Sequence, residues 1–230
     1  MGYLLTLEAP DASGKSTQAH LLCENLRRAG IPVRTVRFPN YGSDACKPVE
    51  LYLSGALGAR PEDTGAYAAS VFFAVDRYVS YRTDWKQDLE KPDGVVLLDR
   101  YTTSNAIHQL AKLRSPAEKT AFLDWLYDFE FTKLALPVPD DTLFLDVPPK
   151  TSLALLKSRA ASDFSHVTDI HEADEAYLSR CYEAACFAAD AKGWRRIPCT
   201  QNGLMRPISD IGEEIFSYVL ERIKEKTARL

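Results

Sequence analysis

The segment 9–17, which reads APDASGKST, constrains the fold of this chain more than any other part of the sequence. It follows an apolar run at 3–7 and precedes a helical pattern at 15–29. A strand, a tight loop with Gly-Lys-Ser and then a helix are the layout of a phosphate-binding P-loop. The start of a helix offers unpaired N–H groups and the positive end of the helix dipole, where a polyphosphate can bind. The alternative is an ordinary strand-turn-helix junction.

Two residues of this segment have a direct chemical interpretation. Lys15 is placed to reach the β- and γ-phosphates of a nucleotide, and Ser16 is placed to offer its hydroxyl to Mg²⁺. The usual motif begins with a glycine, whereas this chain has Ala9 there. Because alanine lacks the conformational freedom of glycine, the first turn of the loop must suit an L-residue.

Composition indicates one soluble α/β domain over residues 1–230, of which 46% are hydrophobic. The net charge of −4 argues against a nucleic-acid-binding protein. No apolar run approaches the ~18 residues of a membrane span, and the first strand leaves no room for a signal peptide. Five cysteines without a Cys-x-x-Cys spacing predict reduced thiols. The expected location is therefore the cytoplasm.

Strand and helix patterns alternate along the chain, which predicts a parallel sheet with helices on both faces. The five predicted strands are 3–7, 33–36, 95–98, 142–146 and 194–197. The predicted helices are 15–29, 47–54, 63–89, 103–113, 116–130, 149–159, 172–192 and 207–226. Ligands of such sheets bind at the carboxyl ends of the strands, so the residues that follow each strand are the candidates for a site.

Three clusters each place an arginine near an aromatic residue. They are Arg37-Phe38-Pro39 after the second strand, Asp99-Arg100-Tyr101 after the third, and Phe73 with Arg77 in the long helix. An arginine can hold a phosphate with a bidentate fork, and an aromatic ring can stack on a base. Taken singly, each cluster also has a structural interpretation, as a strand end, an ion pair or core packing.

With these clusters the sequence resembles the thymidylate kinase family over nearly its whole length. The resemblance rests on the P-loop with its internal acid Asp11, on Arg37-Phe38-Pro39, on Asp99-Arg100-Tyr101, on Phe73-x-x-x-Arg77, and on 169–172 with the helix that follows. It implies a P-loop kinase fold and transfer of the γ-phosphoryl of ATP to thymidine monophosphate (dTMP), with Mg²⁺, in the supply of dTTP. Both substrates would be small molecules, without nucleic acid or membrane.

The resemblance also implies residue roles on the donor side. The ATP phosphates would lie against Asp11, Ala12, Ser13, Gly14, Lys15, Ser16 and Thr17. Mg²⁺ would be held by Ser16 and Asp99. Lys15, Arg100, Asp99 and Asp11 would be catalytic. A lid at about 158–171 would supply one more cation, for which Arg159 is the candidate, assisted by Lys157. The alternative for this pair is a solvated helix end.

On the acceptor side, the resemblance implies that Phe73 stacks on thymine and that Arg77 binds the edge of the base. Arg100 would hold the acceptor phosphate, and Asp11 would bond the 3′-hydroxyl. The other residues implied in the acceptor pocket are Phe38, Pro39, Tyr101, Asn105 and His108. Tyr101 would lie near the sugar and Asn105 near the base. His108 stands where relatives often have an aromatic residue, so the choice of base stays open there.

The resemblance further implies a homodimer formed through the long helix. Two other functions remain open. One is a P-loop kinase for another deoxynucleotide or for a deoxynucleoside. The other is a non-catalytic nucleotide-binding relative, which Ala9, Ala12 and the weakly basic lid would favour.

Overall fold

The computed structural model describes residues 1–10, 13–162 and 175–228, and of 157–162 the backbone alone. Its centre is a sheet of five parallel strands: β1 (Tyr3–Glu8), β2 (Val33–Arg37), β3 (Val95–Asp99), β4 (Asp141–Asp146) and β5 (Arg195–Pro198). The order is β2-β3-β1-β4-β5. β1 and β3 are buried along their whole length, because helices cover both faces of the sheet.

Nine helices of α type lie in the described part of the chain. They are α1 (Lys15–Arg28), α2 (Lys47–Leu53), α3 (Ala66–Ser80), α4 (Lys86–Glu90), α5 (Thr102–His108), α6 (Pro116–Tyr127), α7 (Pro149–Ser162), α8 (Glu175–Lys192) and α9 (Ile208–Ala228). α1 and α9 pack on one face of the sheet, whereas α5, α6 and α8 form a second core on the other. No described helix is both long enough and apolar enough to cross a membrane.

The fold class and the five strands are confirmed, with shifts of one residue at strand ends. Four of the predicted helices differ from the observed elements. The helix predicted at 103–113 ends at His108 and is followed by the short helical turn Leu110–Lys112, and the helix predicted at 116–130 ends at Tyr127 and is followed by the π-helical turn Asp128–Lys133. The helix predicted at 63–89 begins at Ala66 and passes through a π-helical turn, Tyr81–Trp85, before α4. The helix predicted at 149–159 continues to Ser162, since Ala160 and Ala161 favour helix. Residues 158–162 of the predicted lid are therefore helical, and 163–171 lie outside the described residues.

A small hairpin after β5 is absent from the predicted elements. β6 (Thr200–Gln201) pairs antiparallel with β7 (Leu204–Met205). The turn is Asn202-Gly203, with φ of 53° and 78°. Asn-Gly is the preferred sequence of a two-residue hairpin turn, because both positions require a positive φ. The signal for this hairpin was therefore present in the sequence.

Candidate active site

The predicted phosphate-binding loop ends at the first turn of α1, which has no side-chain cap. Gly14 stands directly before α1 with φ of 83°, in the left-handed region that favours glycine. It has no side chain to cap the helix, and the first turn contains no acidic residue. Ser16 and Thr17 are exposed in that turn. The backbone N–H groups at the start of α1 are therefore available to an anion.

Ala9 fits the start of the loop without strain. It is buried in the core between the sheet and α1, and its φ is not among the positive values of the described residues. The expectation that this position suits an L-residue is confirmed.

Two strand ends bring charged side chains to Lys15, the first residue of α1. Lys15 is buried and its ammonium contacts a carboxylate oxygen of Asp99, the last residue of β3. Arg37, the last residue of β2, lies on the other side, with its Nε 3.8 Å from Asp99 Oδ2. Because β3 lies between β1 and β2, the sheet order itself puts this carboxylate between two cations.

Arg100 is held in an unusual backbone conformation. Its φ is 73°, and its N–H donates to Leu7 O over 3.3 Å. The following turn is fixed by the fully buried carboxylate of Glu8, which accepts hydrogen bonds from Tyr101 N at 3.1 Å and from Thr103 Oγ1 at 2.6 Å. Ser104 Oγ adds a third donor at 2.8 Å. Glu8 therefore orders the segment that carries Arg100, a role that the sequence analysis missed.

Arg77 forms a buried ion pair. Its Nε donates to Glu130 Oε2 over 2.7 Å and its Nη2 to Oε1 over 2.5 Å, and neither side chain is more than 1% exposed. Glu130 also accepts from Thr102 Oγ1 at 2.7 Å and from Asn105 Nδ2 at 3.4 Å. The carboxylate orients the guanidinium, whose Nη1 lies 3.4 Å from Tyr101 O. Contact between Arg77 and a base stays a prediction.

Two buried polar side chains lie on α5 and directly after its last residue. Asn105 is buried and donates to Ser70 O over 3.2 Å. Gln109, four residues later, is fully buried, and neither its amide nitrogen nor its amide oxygen has a hydrogen-bond partner among the described residues. Because a buried amide without a partner costs free energy, such a group fits a site that a polar ligand completes.

His108 lies at a pocket beside the phosphate-binding loop. The pocket is lined by residues of the loop and of α5, α7 and α8, among them Ala9, Pro10, Leu156 and Cys181. His108 Nδ1 is 3.6 Å from the Cys181 thiol, and its carbonyl accepts from Tyr177 Oη at 2.6 Å. The role of His108 in the choice of base stays a prediction.

Phe38 and Tyr101 pack together with their ring centroids 6.2 Å apart, and both are buried. The Tyr101 hydroxyl donates to Pro137 O over 3.1 Å, and burial raises its pKa well above the usual value. The predicted sugar contact of Tyr101 stays untested, and its position favours a packing role.

Pro39 is half-buried at the carboxyl end of β2. Next to it, Asn40 N donates to the buried carboxylate of Asp76 over 2.8 Å, which fastens this segment to α3.

Several predicted site residues lie outside this description. Asp11 and Ala12 are not among the described residues. Arg159 and Lys157 belong to α7, but their side chains are not described. Their predicted roles stay predictions.

Comparisons with known proteins agree with this geometry. A sequence model of the family described as thymidylate kinase matches residues 7–196, which include β2, β3 and β4 whole, the end of β1 and the start of β5. The chain belongs to the thymidylate kinase family. It is 33% identical to the thymidylate kinase of Mycobacterium tuberculosis over 193 residues. The aligned residues cover 83% of this chain and 87% of that protein. It is 26% identical over 227 residues to that of Thermomicrobium roseum, covering 97% of both chains.

A third relative is named a probable thymidylate kinase, from Pyrococcus abyssi, and is 32% identical over 74% of this chain and 77% of its own length. Thymidylate kinases are nucleoside monophosphate kinases that phosphorylate dTMP to dTDP with ATP. Family membership places this chain among the phosphotransferases that use nucleotide substrates.

The side chains present fit a magnesium nucleotide. Mg²⁺ is usually bound by one or two carboxylates or hydroxyls together with substrate phosphates, not by a complete protein cage. Asp99 and Ser16 supply one carboxylate and one exposed hydroxyl next to the open start of α1. The described residues contain no group of three or more His, Cys, Asp or Glu side chains that could form a cage. The donor set is that of a metal held between protein and phosphate.

Proposed function

We propose that this chain transfers the γ-phosphoryl group of ATP to dTMP, giving dTDP and ADP. The observation that carries the proposal is the meeting of Lys15, Asp99 and the ordered Arg100 segment at the open start of α1. Family membership supports the choice of reaction and of acceptor.

On the donor side, residues 11–17 surround the ATP phosphates. Lys15 leaves its contact with Asp99 and binds the β- and γ-phosphates, because a polyphosphate offers it more negative charge than one carboxylate does. Ser16 and Asp99 would hold Mg²⁺, which would supply charge neutralisation at the phosphate oxygens. Arg159, a residue of α7, would supply the further cation. Positioning and charge stabilisation supply most of the acceleration in such reactions.

On the acceptor side, Arg100 binds the phosphate of dTMP at the carboxyl end of β3. The base lies between α3 and α5, where Phe73 stacks on it. Arg77 and Asn105 meet its polar edge, and Gln109 gains a hydrogen-bond partner that it lacks among the described residues. Asp11 binds the 3′-hydroxyl, Phe38 and Pro39 border the sugar, and His108 bears on the choice of base.

The apolar side of α3 supports a homodimer. Five residues of this helix expose between 37% and 45% of their surface: Tyr67, Val71, Val75, Tyr78 and Val79. Apart from Tyr78, they recur every four residues and lie on one side, so a second copy could bury this stripe. A cytoplasmic location agrees with the five cysteines, none of which forms a disulfide in the structure.

The test is ADP release from Mg-ATP against a panel of acceptors: the monophosphates of thymidine, deoxyuridine, uridine, cytidine, guanosine and adenosine, and free thymidine. We expect a strong preference for dTMP, and loss of turnover in Lys15→Met. Lys119→Met, which changes a lysine on α6 away from the loop, is the matched control and should turn over normally. ATP binding without turnover on any acceptor would refute the proposal in favour of a non-catalytic nucleotide-binding protein.

A further inference from the structure

Lys112 joins three segments that surround the proposed acceptor pocket. It ends the short helical turn Leu110–Lys112 that follows α5. Its Nζ donates to the Tyr52 hydroxyl of α2 over 3.0 Å and to Thr64 O, just before α3, over 2.8 Å. One ammonium group therefore ties α2 and the start of α3 to the end of α5.

Tyr52 contacts both Lys112 and Phe73. Its side chain is buried with Cys46, Val49, Leu53 and Ala69, and the Lys112 ammonium contacts its hydroxyl and lies 4.9 Å from the centre of its ring. Its ring meets that of Phe73 edge-on, with centroids 6.0 Å apart and an interplanar angle of 85°. Edge-to-face contacts depend on ring orientation. A change in the Tyr52 hydroxyl contact therefore shifts the surface against which Phe73 packs.

We infer that Lys112 and Tyr52 are positioning residues that hold Phe73 in the orientation in which it stacks on the acceptor base. This inference rests on the proposed function, in which Phe73 contacts the base. Neither Lys112 nor Tyr52 is placed against substrate, so neither is a catalytic residue. Their effect should fall on acceptor binding. ATP is proposed to bind around Lys15, whereas the contacts of Lys112 and Tyr52 lie among α2, α3 and the end of α5.

The charge of Lys112 matters for this role, since a charged donor makes a stronger hydrogen bond than a neutral one. Burial lowers its pKa to about 8, although the carboxylate of Glu62 acts in the opposite direction. The titratable or charged groups around the ammonium, directly or through one contact, are Tyr52, Glu62, Arg180, Cys181 and His108. As pH rises through 8 the amine loses its charge, and the hold on Tyr52 weakens.

The first experiment compares Tyr52→Phe and Lys112→Met with the parent enzyme in steady-state kinetics at pH 7, with dTMP binding measured by titration calorimetry. Tyr52→Phe removes one oxygen and keeps the ring. Loss of this hydrogen bond should raise KM and Kd for dTMP about two- to tenfold in each variant. kcat and KM for ATP should stay within about twofold. Because Lys112→Met already removes the hydrogen bond that Tyr52→Phe removes, the double variant should be no worse than Lys112→Met alone.

The control is Lys119→Met, which should leave every constant unchanged. Equal losses in kcat, in KM for ATP and in KM for dTMP would indicate a general structural role and would overturn the inference. Additive losses in the double variant would overturn it as well. The melting temperature of each variant sets an assay temperature at which all of them are folded.

Phe73→Ala separates this inference from the proposed function. If Phe73→Ala leaves KM for dTMP unchanged, the proposed base contact is wrong and the inference fails with it. If Phe73→Ala raises KM while Tyr52→Phe and Lys112→Met behave like the control, the inference alone is overturned. In the parent, KM for dTMP should rise between pH 7 and pH 9, and this rise should be absent from Lys112→Met. The same rise in both would assign it to the substrate and refute the role of the ammonium.

Discussion

Glu130→Gln tests whether the buried carboxylate between α3 and α5 supports the fold as the structure indicates. The side chain is 0% exposed and its two oxygens accept from Arg77, Thr102 and Asn105. An amide in its place puts an NH₂ group where one oxygen was. In one orientation that group faces Arg77 Nε and the Thr102 hydroxyl, and in the other it faces Arg77 Nη2 and the Asn105 amide. In either orientation the NH₂ group faces an Arg77 N–H, and two donors oppose each other.

The larger cost comes from charge. Arg77 is 1% exposed, so Glu130→Gln leaves a buried guanidinium without its counter-ion. Removal of one partner of a buried ion pair costs about 3–5 kcal/mol. In a chain of this size, 1 kcal/mol shifts the melting temperature by about 2–4 °C. We therefore expect a melting temperature about 6–20 °C lower, measured by differential scanning calorimetry and by urea unfolding.

The matched control is Asp128→Asn on the same π-helical turn, Asp128–Lys133. Asp128 pairs with Lys133 over 3.1 Å, but both side chains are more than half exposed. Exposed pairs contribute about 0–1 kcal/mol, so this variant should melt within a few degrees of the parent. Replacement of both buried partners, Arg77→Met with Glu130→Leu, should recover much of the stability lost in Glu130→Gln, since no buried charge is left unpaired. A Glu130→Gln protein as stable as Asp128→Asn would refute this reasoning.

Three further variants follow from the contacts described above. Glu8→Gln should lower stability by about 1.5–3 kcal/mol and raise KM for dTMP, because the Arg100 turn loses a charged acceptor; an unchanged KM would show that Glu8 does not position that turn. Gly14→Ala should destabilise the loop by about 1–2 kcal/mol and raise KM for ATP, since its φ is 83°. Gly65→Ala, at φ of −59° before α3, is its control and should leave KM for ATP unchanged. Asp141→Asn should cost about 2–3 kcal/mol in urea unfolding, because Tyr3, Tyr218 and Arg222 donate to that carboxylate; a cost under 0.5 kcal/mol would contradict this.

The elements that could be predicted from the sequence are those with a local signal. β1 and β3 are continuous apolar runs, and the loop before α1 carries its motif within nine residues. The π-helical turn Tyr81–Trp85 could not be predicted in this way. It adds one residue to a turn, and its side chains, such as Tyr81 against Trp85 with centroids 4.7 Å apart, fit an α-helical pattern equally well.

The candidate site residues that could be predicted are likewise those with a local signal in the sequence. Lys15, Asp99 and Arg100 follow strands or lie in the motif; Lys15 contacts Asp99, and Arg100 comes directly after it at the end of β3, while their roles stay predictions. Lys112 was missed because its partners, Tyr52 and Thr64, lie 60 and 48 residues earlier in the chain. A lysine at the end of a helical pattern is normally a solvated charge, so no local feature distinguishes it.

Glu8 and Glu130 were not predicted as site residues, but they order residues that the proposed reaction requires. Both are fully buried carboxylates, and between them they accept hydrogen bonds from five groups of the segment 101–105. Arg100 directly precedes that segment, and Arg77 is held by one of the two carboxylates. A buried carboxylate is stable only if donors surround it, so each glutamate fixes its donors as strictly as they fix it. The backbone at Arg100 and the guanidinium of Arg77 are therefore ordered before substrate binds. This reduces the conformational entropy that is lost on binding.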